Sequence, residues 1–380
     1  MWIASCPQKA TNRFRWEKEA EMKLTLLKTF ACAMALATAG CATANELAAT
    51  QTSHSSTAET LPEDAAIATM LLNFDVPGIA LATLSSCEVE GVRTFGVADI
   101  ETGEKVAQNT AFEAASLSKP VFAYLVLQLA DEGIIDLDAP LAAFEYPRIA
   151  DVAAFAKLTP RLILTHRTGL PNWAGDSQDE QRIDAIAFQT PPGTAYSYSG
   201  EAFELLRAFV VAETRMSLQE LFLQRLGEIM PNSSFDGRLR GAAIRSRAYR
   251  SARDPESGRD LYLVPHETGA AWGLVTTAGD YAAFVSEVCK ARTLSAEMHR
   301  DMLRPQSPVP SDQAIGPTSY GLGWAILQMG QETIAMHTGN NDEYRSFAAY
   351  LPETGEGYVM LTNGRNGEDM IGAILEETAP

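Results

Sequence analysis

The 380-residue sequence predicts an α+β fold: an antiparallel sheet built from both chain ends and flanked by helices, with a mostly helical lobe inserted between them. Three observations predict it. Short apolar runs bounded by turn residues fall within 79–97 and again within 324–362. Between them, from about 135 to 265, the pattern turns irregular and helical, with Pro and Gly breaks. The segment 116–131 is apolar on nearly every side, which marks a helix buried in the middle of a domain.

Taken in order, Pro77-Gly78 opens a strand over 79–84, and a second strand covers 92–97. The stretch 85–91, Ser-Ser-Cys-Glu-Val-Glu-Gly, makes the pair a hairpin. The buried helix over 116–131 carries Val121, Phe122, Tyr124, Leu125, Val126, Leu127 and Leu129, and ends at Gly133. Further helices are expected over 160–165, 201–213 and 217–229. Strands follow over 324–328, 333–337, 346–351 and 358–362, the last two joined by a turn over 352–357, and a helix over 368–378 closes the chain. The sheet part then spans about 63–145 and 266–380, and the helical lobe about 146–265. No internal repeat of 20–50 residues is present.

With 46% hydrophobic and 21% charged residues, the chain suits one large globular domain or two lobes sharing a core. A formal net charge of -18 and a pI near 4.7 repel nucleic-acid phosphates and anionic headgroups. No nucleic-acid partner is expected, and membrane attachment requires an anchor rather than a basic patch. Residues 1–21 are polar and unpatterned. A short basic start, Met22-Lys23-Leu24-Thr25-Leu26-Leu27-Lys28, then precedes an apolar run over 29–39, the layout of a secretory signal. Met22 reads as the natural start and 1–21 as an upstream extension. Ala42-Thr43-Ala44 fits a cleavage site, and Ala39-Gly40-Cys41 fits a lipoprotein site that would lipidate Cys41. The expected location is the periplasm, free or lipid-anchored in the cell envelope. Residues 45–62, rich in Ser, Thr and Ala, read as a tether. Of five cysteines only Cys87 and Cys289 lie clearly inside the domain, and neither has metal-ligand spacing. Two buried free thiols, no metal, no cofactor and a monomer are expected.

Ser116-Leu117-Ser118-Lys119 carries the chemistry. Residues three apart on a helix share a face, so a lysine one turn after a serine sets its amine beside the hydroxyl. Serine needs a base to become a nucleophile. Lys119 can act as one only if burial or a nearby cation keeps it partly neutral. A lone Ser-x-x-Lys is weak, since it recurs by chance about once in a chain of this length. Pro120 also disfavours helical backbone at Lys119, although a helix tolerates Pro in its first turn. Two later segments add weight. Residues 192–200, Pro-Gly-Thr-Ala-Tyr-Ser-Tyr-Ser-Gly, form a turn that offers the Tyr198 hydroxyl. His337-Thr338-Gly339-Asn340-Asn341 ends a strand.

Here the sequence resembles the penicillin-recognising serine hydrolases: class C β-lactamases, D-alanyl-D-alanine carboxypeptidases and related esterases. That family shows Ser-x-x-Lys, Tyr-x-Asn, then Lys-Thr-Gly or His-Thr-Gly, in this order. Residues 112–120 resemble its nucleophile segment, residues 162–171 (Leu-Ile-Leu-Thr-His-Arg-Thr-Gly-Leu-Pro) its "LLTHTSGLP" segment, and residues 272–280 (Trp-Gly-Leu-Val-Thr-Thr-Ala-Gly-Asp) its "GGLVST" segment. The resemblance runs from about residue 65 to the end and implies a β-lactamase/transpeptidase-like fold. Carried over, it makes Ser116 the nucleophile, Lys119 its base and Tyr198 the proton shuttle to the leaving group. His337, Thr338 and Gly339 then face the substrate's carboxylate or polar end. The backbone N–H groups of Ser116 and Asn340 form the oxyanion hole.

Two departures stand out. Gly200 occupies the place of the family's Asn, which hydrogen-bonds a substrate amide. His337 replaces the Lys of most β-lactamases and, with an ordinary histidine pKa, should bind carboxylates less well as pH rises. His166 is expected to order its own loop, His266 and His299 to be surface or core residues, and His54 to lie in the tether. Gly-x-Ser-x-Gly, Gly-x-x-x-x-Gly-Lys and His-Glu-x-x-His are absent, which disfavours α/β-hydrolase, nucleotide-binding and zinc-protease readings. The expected function is an exported serine hydrolase acting through an acyl-enzyme on small acyl compounds: esters, D-amino-acid peptides or β-lactams. The alternative is a penicillin-binding sensor that acylates with little turnover.

Overall fold

Both chain ends supply strands to one antiparallel sheet. The computed structural model describes residues 61–141, 144–174, 185–261, 269–310, 318–329 and 331–378. The signal segment, Cys41, the tether as far as residue 60, His54 and His266 lie outside them.

Helix α1 (Asp64–Phe74) precedes the hairpin β1 (Gly78–Ser85) and β2 (Glu88–Gly96). β3 (Thr110–Glu113) leads through a 3-10 turn (Ala115–Leu117) into α2 (Ser118–Asp131). Next come α3 (Val152–Phe155), α4 (Pro160–Leu164), α5 (Gly200–Thr214) and α6 (Leu218–Leu226). Short strands β4 (Ile244–Arg245), β5 (Arg247–Tyr249), β6 (Gly258–Asp260) and β7 (Val275–Thr276) follow, then α7 (Ala278–Lys290) and α8 (Ala296–Leu303). The chain ends with β8 (Ser307–Pro308), β9 (Ser319–Tyr320), β10 (Ala325–Met329), β11 (Glu332–Asn341), β12 (Tyr344–Tyr350), β13 (Gly357–Thr362) and α9 (Gly367–Glu377).

The main sheet runs β2-β1-β13-β12-β11-β10-β9-β8, so the N-terminal hairpin joins the C-terminal strands through β1 and β13. Strand alternation gives it two apolar faces. Ile79, Leu81, Met336, Phe347 and Met360 pack with α1 and α9. Ala80, Ala82, Leu84, Val359 and Leu361 face the larger core of α2, α5 and α7. Helix α2 is buried from Ser118 to Leu129, as its all-round apolar sequence requires. Pro120 sits in its first turn, where a missing N–H removes no intrahelical bond.

Several boundaries and one pairing differ from expectation. The nucleophile segment begins with the 3-10 turn, and α2 starts only at Ser118. Leu61 is buried and Pro62 O accepts from Arg93, so these two residues, read as the end of the tether, pack on the folded part. Cys87 and Cys289 form a disulfide, which corrects the expectation of free thiols. The hairpin tip brings Cys87 onto the end of α7, with Cα atoms 5.7 Å apart across 202 residues of sequence, a proximity no local pattern reports.

Candidate active site

The turn that carries Ser116 is strained and clamped. Ala115 has φ 50°, a left-handed conformation that a Cβ makes costly. Of the residues from Thr110 to Leu129, all are buried except the part-exposed Ser116. Ala114 N donates to Leu274 O at 2.8 Å, and Ser346 Oγ donates to Ala114 O at 2.7 Å. Ser118 Oγ donates to Ala115 O at 2.6 Å and accepts from Leu274 N at 2.9 Å. The Tyr281 hydroxyl donates to Leu117 O at 3.0 Å. Ser118, the inner residue of Ser-x-x-Lys, therefore serves the turn while Ser116 is left to the surface.

Lys119 is 1% exposed, and its Nζ lies 3.1 Å from Ser116 Oγ and 2.8 Å from Ala271 O. It sits over the rings of Tyr198 and Phe203, 4.7 and 5.6 Å from their centroids. Burial pushes its pKa down to about 7, against the pull of the Glu204 carboxylate. An amine poised there is neutral in a large share of molecules near pH 7 and can take a proton from Ser116.

Tyr198 stands on the loop before α5, its ring against the Lys119 amine that contacts Ser116. Burial raises its pKa above the ordinary value, so it is held as the neutral phenol. His166 holds this loop: its O accepts from Ser197 N at 2.7 Å and its Nδ1 from Ser199 N at 3.1 Å. Its ring lies 4.3 Å from that of Tyr198. Burial and the nearby Lys119 keep His166 neutral. Its role is thus wider than ordering its own loop, because it fixes the Tyr198 segment.

His337 departs from expectation. It is 5% exposed, with Nδ1 2.7 Å from Thr338 O and Nε2 2.7 Å from the Tyr320 hydroxyl. A carbonyl can only accept, so Nδ1 carries the proton and Nε2 accepts from Tyr320. Burial, with the Lys119 charge beside it, lowers its pKa to about 3. His337 is therefore neutral near pH 7, and the expected weakening of carboxylate binding as pH rises has no charge behind it. Thr338 contributes its carbonyl to this arrangement. Gly339 lets β11 approach the Ser116 turn: a Cβ there would lie 2.1 Å from Ser346 Oγ, 2.5 Å from Ala114 O and 3.1 Å from Ala115 Cβ. Asn340 Oδ1 accepts from Asp342 N at 3.0 Å and shapes the β11–β12 turn.

Sequence reasoning missed other participants. Glu204, one turn into α5 from Gly200, accepts from Ala271 N at 3.0 Å and so braces the carbonyl that Lys119 binds. Glu113 is 3% exposed and accepts from Arg259 through both oxygens, at 2.6 and 3.1 Å, and from Asn341 Nδ2 at 2.8 Å. This links β3, β6 and the end of β11. A buried carboxylate in sequence signals a partner but not its identity.

A surface serine, a lysine of lowered pKa on one side and a tyrosine hydroxyl on the other make this a hydrolase site of the serine–lysine type. The chain belongs to the β-lactamase family, whose model matches residues 64–376. It is 25% identical over 349 residues to an unguisins hydrolase of Aspergillus violaceofuscus, covering 79% of this chain and 60% of that protein. It is 26% identical over 310 residues to penicillin-binding protein 4 of Amycolatopsis lactamdurans, covering 76% and 81%. The solved D-amino acid amidase of Ochrobactrum anthropi, complexed with L-phenylalanine amide, superposes with a TM-score of 0.67 at 20% identity, covering 83% of this chain and 97% of that one. Relatives named esterase, D-aminopeptidase and β-lactamase belong to the same set. The fold is the β-lactamase/transpeptidase fold expected from the sequence.

Proposed function

We propose that the protein is an exported hydrolase that forms an acyl-enzyme at Ser116 on small neutral acyl compounds, esters above all. The observation that carries this is the 3.1 Å contact between Ser116 Oγ and a wholly buried lysine amine whose pKa lies near 7. Neutral Lys119 takes the Ser116 proton while Oγ attacks the substrate carbonyl carbon. The backbone N–H groups of Ser116 and Asn340 bind the oxyanion. The proton passes by way of Tyr198 to the leaving oxygen or nitrogen as its bond to the carbonyl carbon breaks. Water then attacks the ester on Ser116, gives its proton back through the same groups, and releases the acid. A neutral His337 offers no charge to a substrate carboxylate, which weighs toward esters and against carboxylate-bearing β-lactams and peptides. Export is supported by the Cys87–Cys289 disulfide, a bond that persists in oxidising compartments, together with the signal-like residues 22–44.

Intact mass spectrometry after brief exposure to an activated ester, beside Ser116→Ala, tests this reading. Sustained turnover with a transient adduct on the wild type alone is expected. Turnover that survives Ser116→Ala sinks the proposal, and an adduct that persists without product release replaces hydrolysis with binding.

A further inference from the structure

Tyr198 and Gly200 flank Ser199, whose backbone is extended at φ -141° and ψ 115°. Side-chain directions two residues apart across extended backbone are alike. Tyr198 points in that direction to the Lys119 amine, 4.7 Å from its ring centroid, which in turn contacts Ser116, so a side chain at 200 would project beside it toward the substrate. Gly200 has none, and the space is filled from elsewhere. A Cβ on Gly200 would lie 2.4, 2.5 and 2.8 Å from Cη2, Cζ2 and Cζ3 of Trp173. The C–H edge of the indole therefore occupies the position that a side chain at 200 would take.

Backbone contacts on both sides hold Trp173 there. Gly200 N and Glu201 N each donate to Asn172 O at 3.0 Å, and Gly200 N also reaches Asn172 Oδ1 at 3.0 Å. Ala174 N donates to Glu201 Oε1 at 3.0 Å. Glu201 is fully buried and held by Arg148 through both oxygens, at 2.7 and 3.1 Å. Residues 172–174 are thus zipped to the first turn of α5, and moving this segment would disturb a buried ion pair. Trp173 itself is only half-buried.

Resting on the serine-hydrolase reading above, we propose that Trp173 is the specificity-determining residue of the acyl subsite. Its indole stands where a hydrogen-bonding side chain at 200 would read an amide, so the site takes plain alkyl or aryl acyl groups and discriminates against acyl groups bearing an amide on the α-carbon. Such an amide would lose its water against a C–H edge and gain no partner. A phenyl or alkyl group there would gain apolar contact.

The test compares kcat/KM for nitrophenyl phenylacetate and the nitrophenyl ester of N-acetylglycine. The wild type should prefer the phenylacetate by about tenfold or more, the loss that an unpaired polar group brings. The double variant Trp173→Ala with Gly200→Asn should shrink that preference by about tenfold, and Trp173→Phe, which keeps an aromatic ring, should retain it. Equal or reversed preference in the wild type, or a preference unmoved in a folded double variant, overturns the inference. The same pair of acids, phenylacetate and N-acetylglycine, is titrated against Ser116→Ala by tryptophan fluorescence, a readout independent of turnover. Selective binding there without turnover in the wild type would defeat the nucleophile assignment and leave the subsite standing. Turnover without selectivity in either assay would do the reverse.

Discussion

Replacing Lys119 with Met keeps the side-chain length and removes the amine. The folded protein lowers the Lys119 pKa from 10.5 to about 7 because the group is wholly buried, while unfolding returns it to water. At about 1.4 kcal/mol per pH unit, that difference costs folding roughly 4–5 kcal/mol at neutral pH. Met forfeits the bonds to Ser116 Oγ and Ala271 O, which takes back about 1–3 kcal/mol. Lys119→Met should therefore be inactive and yet more stable than the wild type by roughly 1–4 kcal/mol near neutrality. Between the folded value near 7 and the unfolded value of 10.5, the unfolded chain holds a proton that the folded protein has released. Wild-type stability then rises with pH across that window, and the advantage of Lys119→Met shrinks by up to about 1.4 kcal/mol per pH unit. Equilibrium urea unfolding of both proteins at several pH values, with the disulfide intact, measures this. In the same preparations, wild-type kcat/KM on an activated ester should rise through an apparent pKa near 7. A stability difference that is flat across the window, or a rate limb far from 7, would refute the view that one buried amine governs both.

Four further outcomes are expected. His337 is held neutral with a pKa near 3, so the unfolded chain binds a proton that the folded protein refuses as pH falls from 6.5; stability should fall over that window, and His337→Gln should flatten the fall. Tyr320→Phe, which leaves the buried His337 Nε2 without its donor, should cost about 1–3 kcal/mol in the same unfolding assay. Replacing Cys87 and Cys289 together with Ser should cost about 2–5 kcal/mol, read by denaturant unfolding. Gly339→Ala would set a methyl 2.1 Å from Ser346 Oγ and push β11 off the Ser116 turn; kcat should drop by about a hundredfold with a far smaller change in the unfolding midpoint.

How much of this was legible in the sequence follows from how local each signal is. The strands β10 to β13 and β1 stood out because the sheet is covered on both faces and its strands read as apolar runs. Helix α2 stood out for the same reason. The amphipathic α1 and the helices α7 and α8 were not anticipated. The Ser116 turn was misread as helix from Ser116 onward, because the positive φ at Ala115 is held by the clamp of Leu274, Ser346 and Tyr281 around it.

The grouping of Ser116, Lys119 and Tyr198 was readable because these residues lie in short motifs at set spacing, and their order along the chain carries the family. By itself the sequence determined which atoms are available: a hydroxyl, an amine one turn away, a phenol on a loop, a glycine at 200 and a histidine at 337. Only the tertiary structure decided what state those atoms are in. Burial by residues distant in sequence lowers the Lys119 pKa, and the Tyr320 hydroxyl, 17 residues away, supplies the partner of His337 Nε2. The Trp173 indole fills the space left by Gly200, and a partner 202 residues away closes the disulfide. Desolvation and contact depend on what packs around a group, and packing joins segments that no local pattern in a sequence connects.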